Sequence, residues 1–223
     1  MGGTQLGWYS QEACLQGLVV FGPNKGREIT FVKRKEWLPG VADLPVEEAE
    51  AMLLRRYLHG YGPASLADFA AWAGMTLSDA MPIKERAGSD TIEVKVEDKT
   101  CFVLKEDLKL LQDTEAFDLE EESVCMLPSF DCYMLGHRDK SHIVDQTYYK
   151  LVYRKAGWLS PVVLVNGRAE GIWNCRKKGN QLQVTIQLFG KVSEDAKKQI
   201  EDEVADLARF NEAHYHVLFS RLR

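Results

Sequence analysis

Apolar residues recur at helical spacing on both sides of a tight turn within residues 55–74. The segment before the turn predicts a helix from about 46 to 59, because the glycines and the proline that follow it favour a turn. Ser65 and Asp68 then have the spacing of a capping box, which predicts the start of a second helix. An apolar stripe predicts the buried face of that helix: Leu66, Phe69, Ala70 and Ala73. Two helices joined in this way are the front half of a helix-turn-helix.

The pattern after residue 75 predicts a third helix and then a hairpin. Asp79 follows Thr76 at the capping-box spacing. Pro82 removes a backbone hydrogen bond beyond the first turn, so this helix is expected to be short or bent. Apolar and charged residues then alternate, and Asp98-Lys99 reverses the chain. Three helices followed by a hairpin make a winged helix, and we place it at residues 45–112.

The N-terminal part shows only half of such a pattern. Residues 8–17 predict one short helix, and Leu18–Phe21 and Ile29–Val32 predict two strands joined by a turn. A helix and a hairpin are the back half of a winged helix. Two explanations stay open: an unusual N-terminal cap, or a chain that begins inside a domain. Residues 1–44 are therefore expected to form a partial winged helix.

The last part of the chain, residues 113–223, is expected to form a separate C-terminal α+β domain. A short helix at 105–111 precedes it, and the acidic stretch Asp113–Glu122 predicts the boundary.

The signal after residue 160 is that of a β-meander. Val162–Val165 predicts a strand, and Asn166-Gly167 is a strong hairpin turn. Apolar and polar residues alternate from 181 to 188, which predicts a half-buried strand. Ser193 caps a long final helix, and the residues near 215–219 predict a closing strand. The predicted fold class is α+β: a tandem winged helix, one partial and one complete, followed by a β-meander with a long C-terminal helix.

Composition and charge narrow the possible functions. The chain has 223 residues, a net charge of −5 and five cysteines that form no CxxC pair. The acidic balance counts against indiscriminate nucleic-acid binding. No apolar run approaches the roughly 20 residues needed to span a bilayer, and the N-terminus has no secretory signal. Reduced thiols and the absence of these signals predict a cytoplasmic protein with no membrane partner.

Several side chains invite a chemical interpretation, but most have a simpler structural one. His137, Asp139 and His142 match no standard metal-ligand spacing, so we predict no metal. No Walker, Rossmann or GxSxG motif is present, so we predict no small-molecule cofactor and no nucleophile elbow. The remaining candidates are expected to lie in the core: Tyr57, Phe69, Trp72, Cys125 and Cys132.

Asp131, Arg138 and Asp139 have two open interpretations. In the functional one, Arg138 binds a phosphate and a carboxylate holds the arginine in place. In the structural one, which we favour, a buried ion pair among these residues fixes the joint between two domains, and Arg138 is one candidate partner for Asp131.

Three segments of this sequence resemble the AlkZ-like (YcaQ-type) winged-helix DNA glycosylases. They are RRYLHGYGPASLADFAAWAG (55–74), LPSFDCYMLGHRD (127–139) and VVLVNGRAEGIWN (162–174). The resemblance implies a cytoplasmic bacterial protein of tandem winged helices that holds duplex DNA. It also implies hydrolysis of the N-glycosidic bond of alkylated or crosslinked purines.

The residues credited with catalysis in that family are not matched in this sequence. The family motif is Gln-x-Gln or Gln-x-Asp in the first winged helix, and 9–12 does not match it. Gln181-Leu182-Gln183 matches the letters on a late strand, so no catalytic residue is assigned. The chain is therefore expected to be either a fragment of a glycosylase or a shortened relative, and whether it is an enzyme stays open.

Basic residues supply the candidate DNA contacts. The hairpin tip at 176–178 is the strongest candidate, because a Gly-Asn turn projects three cations towards phosphates or a minor groove. Two functions stay open: a duplex-DNA-binding relative of DNA glycosylases, and a non-enzymatic winged-helix module in transcriptional regulation or protein contact. The sequence does not give an oligomeric state. The full set of candidates is Lys25, Arg27, Lys33, Arg34, Lys84, Arg86, Arg138, Arg168, Arg176, Lys177 and Lys178.

Overall fold

A computed structural model describes residues 10–113 and 122–221. The chain divides into two compact units, 1–49 and 50–223. Within the described part, none of the helices is long and apolar enough to cross a membrane. The acidic stretch predicted as a domain boundary falls largely on residues 114–121, outside the described residues.

The first unit is a short helix followed by a hairpin. Helix α1 covers residues 10–15, and strands β1 (Val19–Phe21) and β2 (Phe31–Lys33) pair antiparallel. Each strand begins one or two residues later than predicted. The four-residue helix α2 (Arg34–Trp37) follows β2 directly. No residue from 10 to 49 is buried, so this unit is a helix and a hairpin with large apolar side chains at its surface.

Three helices open the second part of the chain: α3 (Val46–Tyr61), α4 (Leu66–Ala73) and α5 (Leu77–Ala87). Both predicted capping boxes are confirmed, because Ser65 and Thr76 each exchange hydrogen bonds with the aspartate three residues later. Helix α5 runs for 11 residues through Pro82. It is longer than expected because a proline removes a single backbone donor.

A β-hairpin packs with these helices. Strands β3 (Thr91–Val96) and β4 (Lys99–Leu104) pair antiparallel over their full length, as the alternation predicted. Their shared core is built from buried side chains of the three helices and of β4: Leu54, Tyr57, Leu58, Phe69, Ile83 and Leu104. The prediction that Tyr57 and Phe69 are core residues is confirmed, whereas Trp72 is 39% exposed at the edge of that core.

Helix α6 (Leu108–Asp113) begins three residues later than predicted. The Leu111 N–H bonds to the Asp107 carbonyl, so the first turn starts at Asp107 and the residues before it form a turn.

A five-stranded sheet forms the rest of the second unit. Its strands stand in sequence order: β5 (Val124–Leu127), β6 (Val162–Val165), β7 (Arg168–Lys178), β8 (Gln181–Leu188) and β9 (His214–Arg221). The first four strands pair antiparallel and confirm the meander. Strand β9 instead runs parallel to β8, because helix α9 (Glu194–Phe210) carries the chain back across the sheet. Ser193 caps α9 as predicted.

The two faces of the sheet are covered differently. Helix α9 places Ile200 and Val204 on the inward residues of β8, which include Val184 and Ile186. The connection between β5 and β6 covers part of the other face and contains two short helices, α7 (Cys132–Leu135) and α8 (Tyr149–Val152). Elsewhere on that second face, the side chains of Asn174, Arg176 and Gln183 are exposed among the described residues.

The prediction that Cys125 and Cys132 are core residues is wrong. Both are exposed, because Cys125 lies on the edge strand β5 and Cys132 lies in the first turn of α7.

Candidate functional site

A cleft of about 870 Å³ lies in the second unit. It opens between the turn that joins α3 to α4, the β3–β4 hairpin and the segment 133–142. Its lining combines aromatic rings with cations and carboxylates: Tyr61, Tyr133, His137, His142, Lys99, Arg138, Arg168, Asp68, Glu97 and Asp139.

Asp68 joins the helices to the segment that follows α7. Its Oδ2 accepts hydrogen bonds from the Ser65 N–H (3.0 Å) and hydroxyl (2.5 Å) in the capping box. Its Oδ1 accepts from the backbone N–H groups of Arg138 (2.8 Å) and Asp139 (3.4 Å). Burial opposes ionisation of Asp68, but these bonds outweigh it and lower the pKa of the carboxyl. The sequence predicted the cap, but nothing in it indicated a partner 70 residues away.

Among the described residues, Arg138 forms no ion pair with Asp131 or Asp139, so the buried ion pair of the structural interpretation is wrong. Asp131 instead caps α7, because its Oδ1 accepts a hydrogen bond from the Tyr133 N–H at 2.9 Å. Asp139 pairs with Lys99 at the turn of the β3–β4 hairpin. This hydrogen bond from Lys99 and a second from the Ser141 N–H lower the pKa of Asp139. The β3–β4 hairpin and the segment 133–142 are thus linked by a partly exposed ion pair between Lys99 and Asp139.

Gly136 lies against two tyrosines of α3, which brings the same segment close to that helix. The buried Tyr57 hydroxyl donates to the Gly136 carbonyl at 2.8 Å. A Cβ at Gly136 would lie 2.2 Å from Cδ1 of Tyr61, so only glycine fits there. On the opposite wall of the cleft, the Tyr133 hydroxyl donates to the Gly167 carbonyl at 2.9 Å.

The two histidines of the cleft lie against each other, with ring centroids 4.7 Å apart. Burial and the neighbouring His137 lower the pKa of His142, which favours its neutral form. Among buried side-chain polar atoms of the described residues, Nδ1 of His137 alone has no hydrogen-bond partner. The two imidazole rings therefore pack against each other in the wall of the cleft. The prediction that they bind no metal stays a prediction.

One group of described residues has the spacing of metal ligands, away from the predicted site. His59, Glu106 and Asp107 place their ligand atoms within 4.8 Å of one another. Nδ1 of His59 already lies 3.0 Å and 3.1 Å from the two Asp107 oxygens. The group is therefore explained by a hydrogen bond between the imidazole and the carboxylate.

The exposed part of the second sheet face is polar. Register pairs Asn174 with Thr185 and Arg176 with Gln183 across β7 and β8. These four side chains line a shallow groove of about 250 Å³. Parallel pairing adds His216 beside Gln183 on β9. A surface of amide, hydroxyl and imidazole groups thus leads up to the hairpin tip. The alternation on β8 alone did not indicate which groups of β7 and β9 lie beside it.

Some of the candidate cations already contact a carboxylate, an aromatic ring or a carbonyl of the protein, and others form no ion pair. Lys33 pairs with Glu36, Arg34 with Asp43 and Arg86 with Glu50. Lys84 lies over the Phe102 ring, and Lys177 donates to the Asn211 carbonyl at 2.5 Å. Within residues 10–113 and 122–221, the remaining candidates make no ion pair: Lys25, Arg27, Arg138, Arg168, Arg176 and Lys178.

Comparison with known proteins confirms the family resemblance. The chain belongs to the DNA glycosylase AlkZ-like family, whose model matches residues 3–210. An interstrand DNA cross-link repair glycosylase of Streptomyces sahachiroi is 29% identical over 211 residues, which are 91% of this chain and 55% of that protein. The solved structure of Streptomyces sahachiroi DNA glycosylase AlkZ superposes with a TM-score of 0.79 at 28% identity, covering 98% of this chain and 58% of that one. The chain therefore spans a little more than half the length of these relatives.

Proposed function

We propose that this chain is a winged-helix protein related to the DNA glycosylases that holds duplex DNA, and that it carries the DNA-binding rather than the catalytic part. The duplex would carry the alkylated or crosslinked purines that such enzymes excise. In this proposal residues 45–112 form a complete winged helix, 1–44 a partial one, and 113–223 a C-terminal α+β domain. A bacterial source, a cytoplasmic location and the absence of a small-molecule cofactor belong to the same proposal.

The order of elements supports the winged-helix assignment. Helices α3, α4 and α5 share one core with the β3–β4 hairpin, and the turn between α3 and α4 is tight. A three-helix unit followed by an antiparallel hairpin is the arrangement that a winged helix requires.

One observation carries the DNA-binding proposal: the polar sheet face ends in cations that form no ion pair with any described residue. Arg176 and Lys178 are exposed on the same face of β7, beside Gln183 and Gln181 of β8. Guanidinium and ammonium groups bind backbone phosphates, and neighbouring amides add hydrogen bonds that carry little sequence information. The expected binding is therefore salt-sensitive, with little sequence preference.

The experiment is a fluorescence anisotropy titration of the whole chain against a labelled duplex at several salt concentrations. Binding that is measurable near about 50 mM salt and weakens as salt rises supports the proposal. A duplex of scrambled sequence is the control and should bind with similar affinity. Absence of binding at low salt, or binding that is indifferent to salt, contradicts it.

A specific observation also favours the second candidate, a module for protein contact. Helix α5 would be the recognition helix of the proposed winged helix, yet it exposes Leu77 (49%) and Met81 (54%). Its Arg86 is paired with Glu50. An apolar exposed face suits a protein partner better than phosphates. Weak DNA binding that is unchanged by loss of the tip cations would favour this second function.

A further inference from the structure

We propose that the cleft between the helices and the segment 133–142 binds a backbone phosphate of DNA through Arg138 and Arg168, with Asp68 as the positioning residue for Arg138. The inference rests on the proposed DNA-binding function but concerns a contact separate from the hairpin tip. Both arginines line the cleft.

The charges of the cleft explain why these two side chains are available. Lys99 is neutralised by Asp139, and the Glu97 carboxylate also raises the pKa of Lys99. The Asp68 carboxylate accepts four hydrogen bonds, two from Ser65 and two from the backbone N–H groups of Arg138 and Asp139. Arg138 has no side-chain ion pair among the described residues and is exposed. An anion that enters the cleft therefore meets guanidinium groups whose donors are still open.

Arg168 is ordered without being neutralised. Its NH1 donates to the His142 carbonyl at 3.1 Å, which leaves other donors of the guanidinium free. Arg168 forms no ion pair with Asp145 or Glu170 among the described residues. Burial raises the pKa of Glu170, and the charge of Arg168 only partly offsets that rise. The Gly167 carbonyl beside Arg168 accepts the hydrogen bond of the Tyr133 hydroxyl. The segment 133–142 thus holds both Arg168 and the residue before it.

Asp68 fixes the backbone from which Arg138 projects. It is 9% exposed and is the one buried charged side chain in the described part of the chain. Its Oδ1 faces two N–H groups, at Arg138 and Asp139. Asn would keep one acceptor oxygen and could still bond the N–H of Arg138, whereas Ala removes both carboxylate oxygens. Replacing Asp68 by Ala therefore frees the backbone at Arg138.

The cleft and the hairpin tip lie far enough apart to contact different phosphates. Arg168 and Arg176 are eight positions apart on β7, which corresponds to about 26 Å at roughly 3.3 Å per residue. The two contacts should therefore make separate contributions to the salt dependence of binding.

The test is a salt series of anisotropy titrations with labelled duplex DNA. Arg138→Ala and Arg168→Ala should each lower affinity and reduce the slope of log K against log salt by about 1 unit or less, because one phosphate contact is shared. Both side chains are exposed, so the fold is retained. If neither variant changes the slope while Arg176→Ala with Lys178→Ala does, this inference is overturned and the proposed function stands. If the wild-type chain binds no duplex, both are overturned.

A double-mutant cycle tests the role of Asp68. Asp68→Ala should weaken DNA binding in the wild-type chain and have no further effect in the Arg138→Ala chain, because its effect passes through Arg138. Asp79→Ala is the matched control, since Asp79 makes the same capping-box bonds at α5 and bonds to no other segment among the described residues. An Asp68→Ala effect of equal size in both backgrounds would mean a general structural role and would contradict the positioning claim.

A second readout identifies the anion. The Nε–H signals of Arg138 and Arg168 in ¹⁵N NMR spectra should shift when unlabelled duplex is added. Shifts caused by inorganic phosphate but not by duplex would assign the cleft to a free phosphate and overturn the inference.

Discussion

At the scale of single residues, the joint between α3 and the segment after α7 depends on a close approach of backbone to ring. Gly136 lies beneath Tyr61, and its carbonyl accepts the hydrogen bond of the buried Tyr57 hydroxyl. Burial raises the pKa of Tyr57, so the neutral hydroxyl that donates this bond is the favoured form. A small residue at 136 is therefore a condition for both contacts.

Gly136→Ala should lower the free energy of unfolding by about 1–3 kcal/mol, the usual range for overpacking, because the new Cβ overlaps the Tyr61 ring. Urea denaturation measures the change. Gly60→Ala is the matched control: its Cβ meets nothing within 4 Å, and it should be neutral or stabilising by up to about 1 kcal/mol. Equal effects of the two substitutions would contradict the packing explanation.

What the sequence predicted at this scale was local. Ser65 with Asp68, and Thr76 with Asp79, were recognised as caps because both partners lie within one turn. The partners of Asp68 at 138 and 139, and the partner of Asp139 at Lys99, depend on how distant elements pack. No local spacing encodes such pairs, which is why the sequence offered Arg138 as a candidate partner and did not indicate Lys99.

At the scale of elements, the β3–β4 hairpin is tied to the cleft by its turn. Lys99 follows the turn and reaches Asp139, whose folded pKa is thereby lowered. A carboxyl with a lowered folded pKa stabilises the protein above its unfolded pKa of about 3.9, and this contribution is lost as the pH falls through the folded pKa. Acid should therefore release the hairpin turn from the segment.

Lys99→Met should raise the titration midpoint of Asp139 towards its ordinary value, because the hydrogen bond from Lys99 is the largest cause of the lowered pKa. Carboxyl ¹³C chemical shifts followed against pH measure the midpoint. Lys95→Met, on the same hairpin and without an ion pair among the described residues, is the control and should leave it unchanged. A midpoint insensitive to Lys99→Met would mean that the pair does not form.

Helix and strand positions in the second unit followed from periodicity and caps, but the topology of the last strand did not. The alternation near Tyr215 predicted β9, whereas its parallel pairing with β8 requires the crossover by α9. Likewise, the residues of α5 indicated a helix, but pairing of Arg86 with Glu50 is visible only in three dimensions. Sequence periodicity specifies elements and faces, and packing decides which cations stay available.

At the scale of the whole molecule, the chain combines available cations with a net charge of −5. Long-range attraction to DNA is therefore weak, and affinity depends on a few well-placed contacts. We propose that these contacts lie in the second unit, and we assign no residue to cleavage of the N-glycosidic bond.

The chain alone should not release alkylated bases from DNA. Glycosidic hydrolysis needs a positioned water and stabilisation of the developing sugar cation, and no residue of this chain is assigned to that work. Incubation with DNA that contains N7-methylguanine, followed by alkaline cleavage, measures release. Strand breaks above spontaneous depurination that disappear in Asp131→Asn or Asp139→Asn would show that catalysis resides here.

The most direct test of the DNA-binding surface compares two double variants with the same loss of charge. Arg176→Ala with Lys178→Ala removes two cations without ion pairs at the hairpin tip, whereas Lys84→Ala with Arg86→Ala removes two engaged cations on α5. The salt dependence of duplex binding, measured by anisotropy, should lose up to about 2 slope units in the first variant and change little in the second. A larger loss in the α5 variant would contradict the account and place the DNA on the third helix.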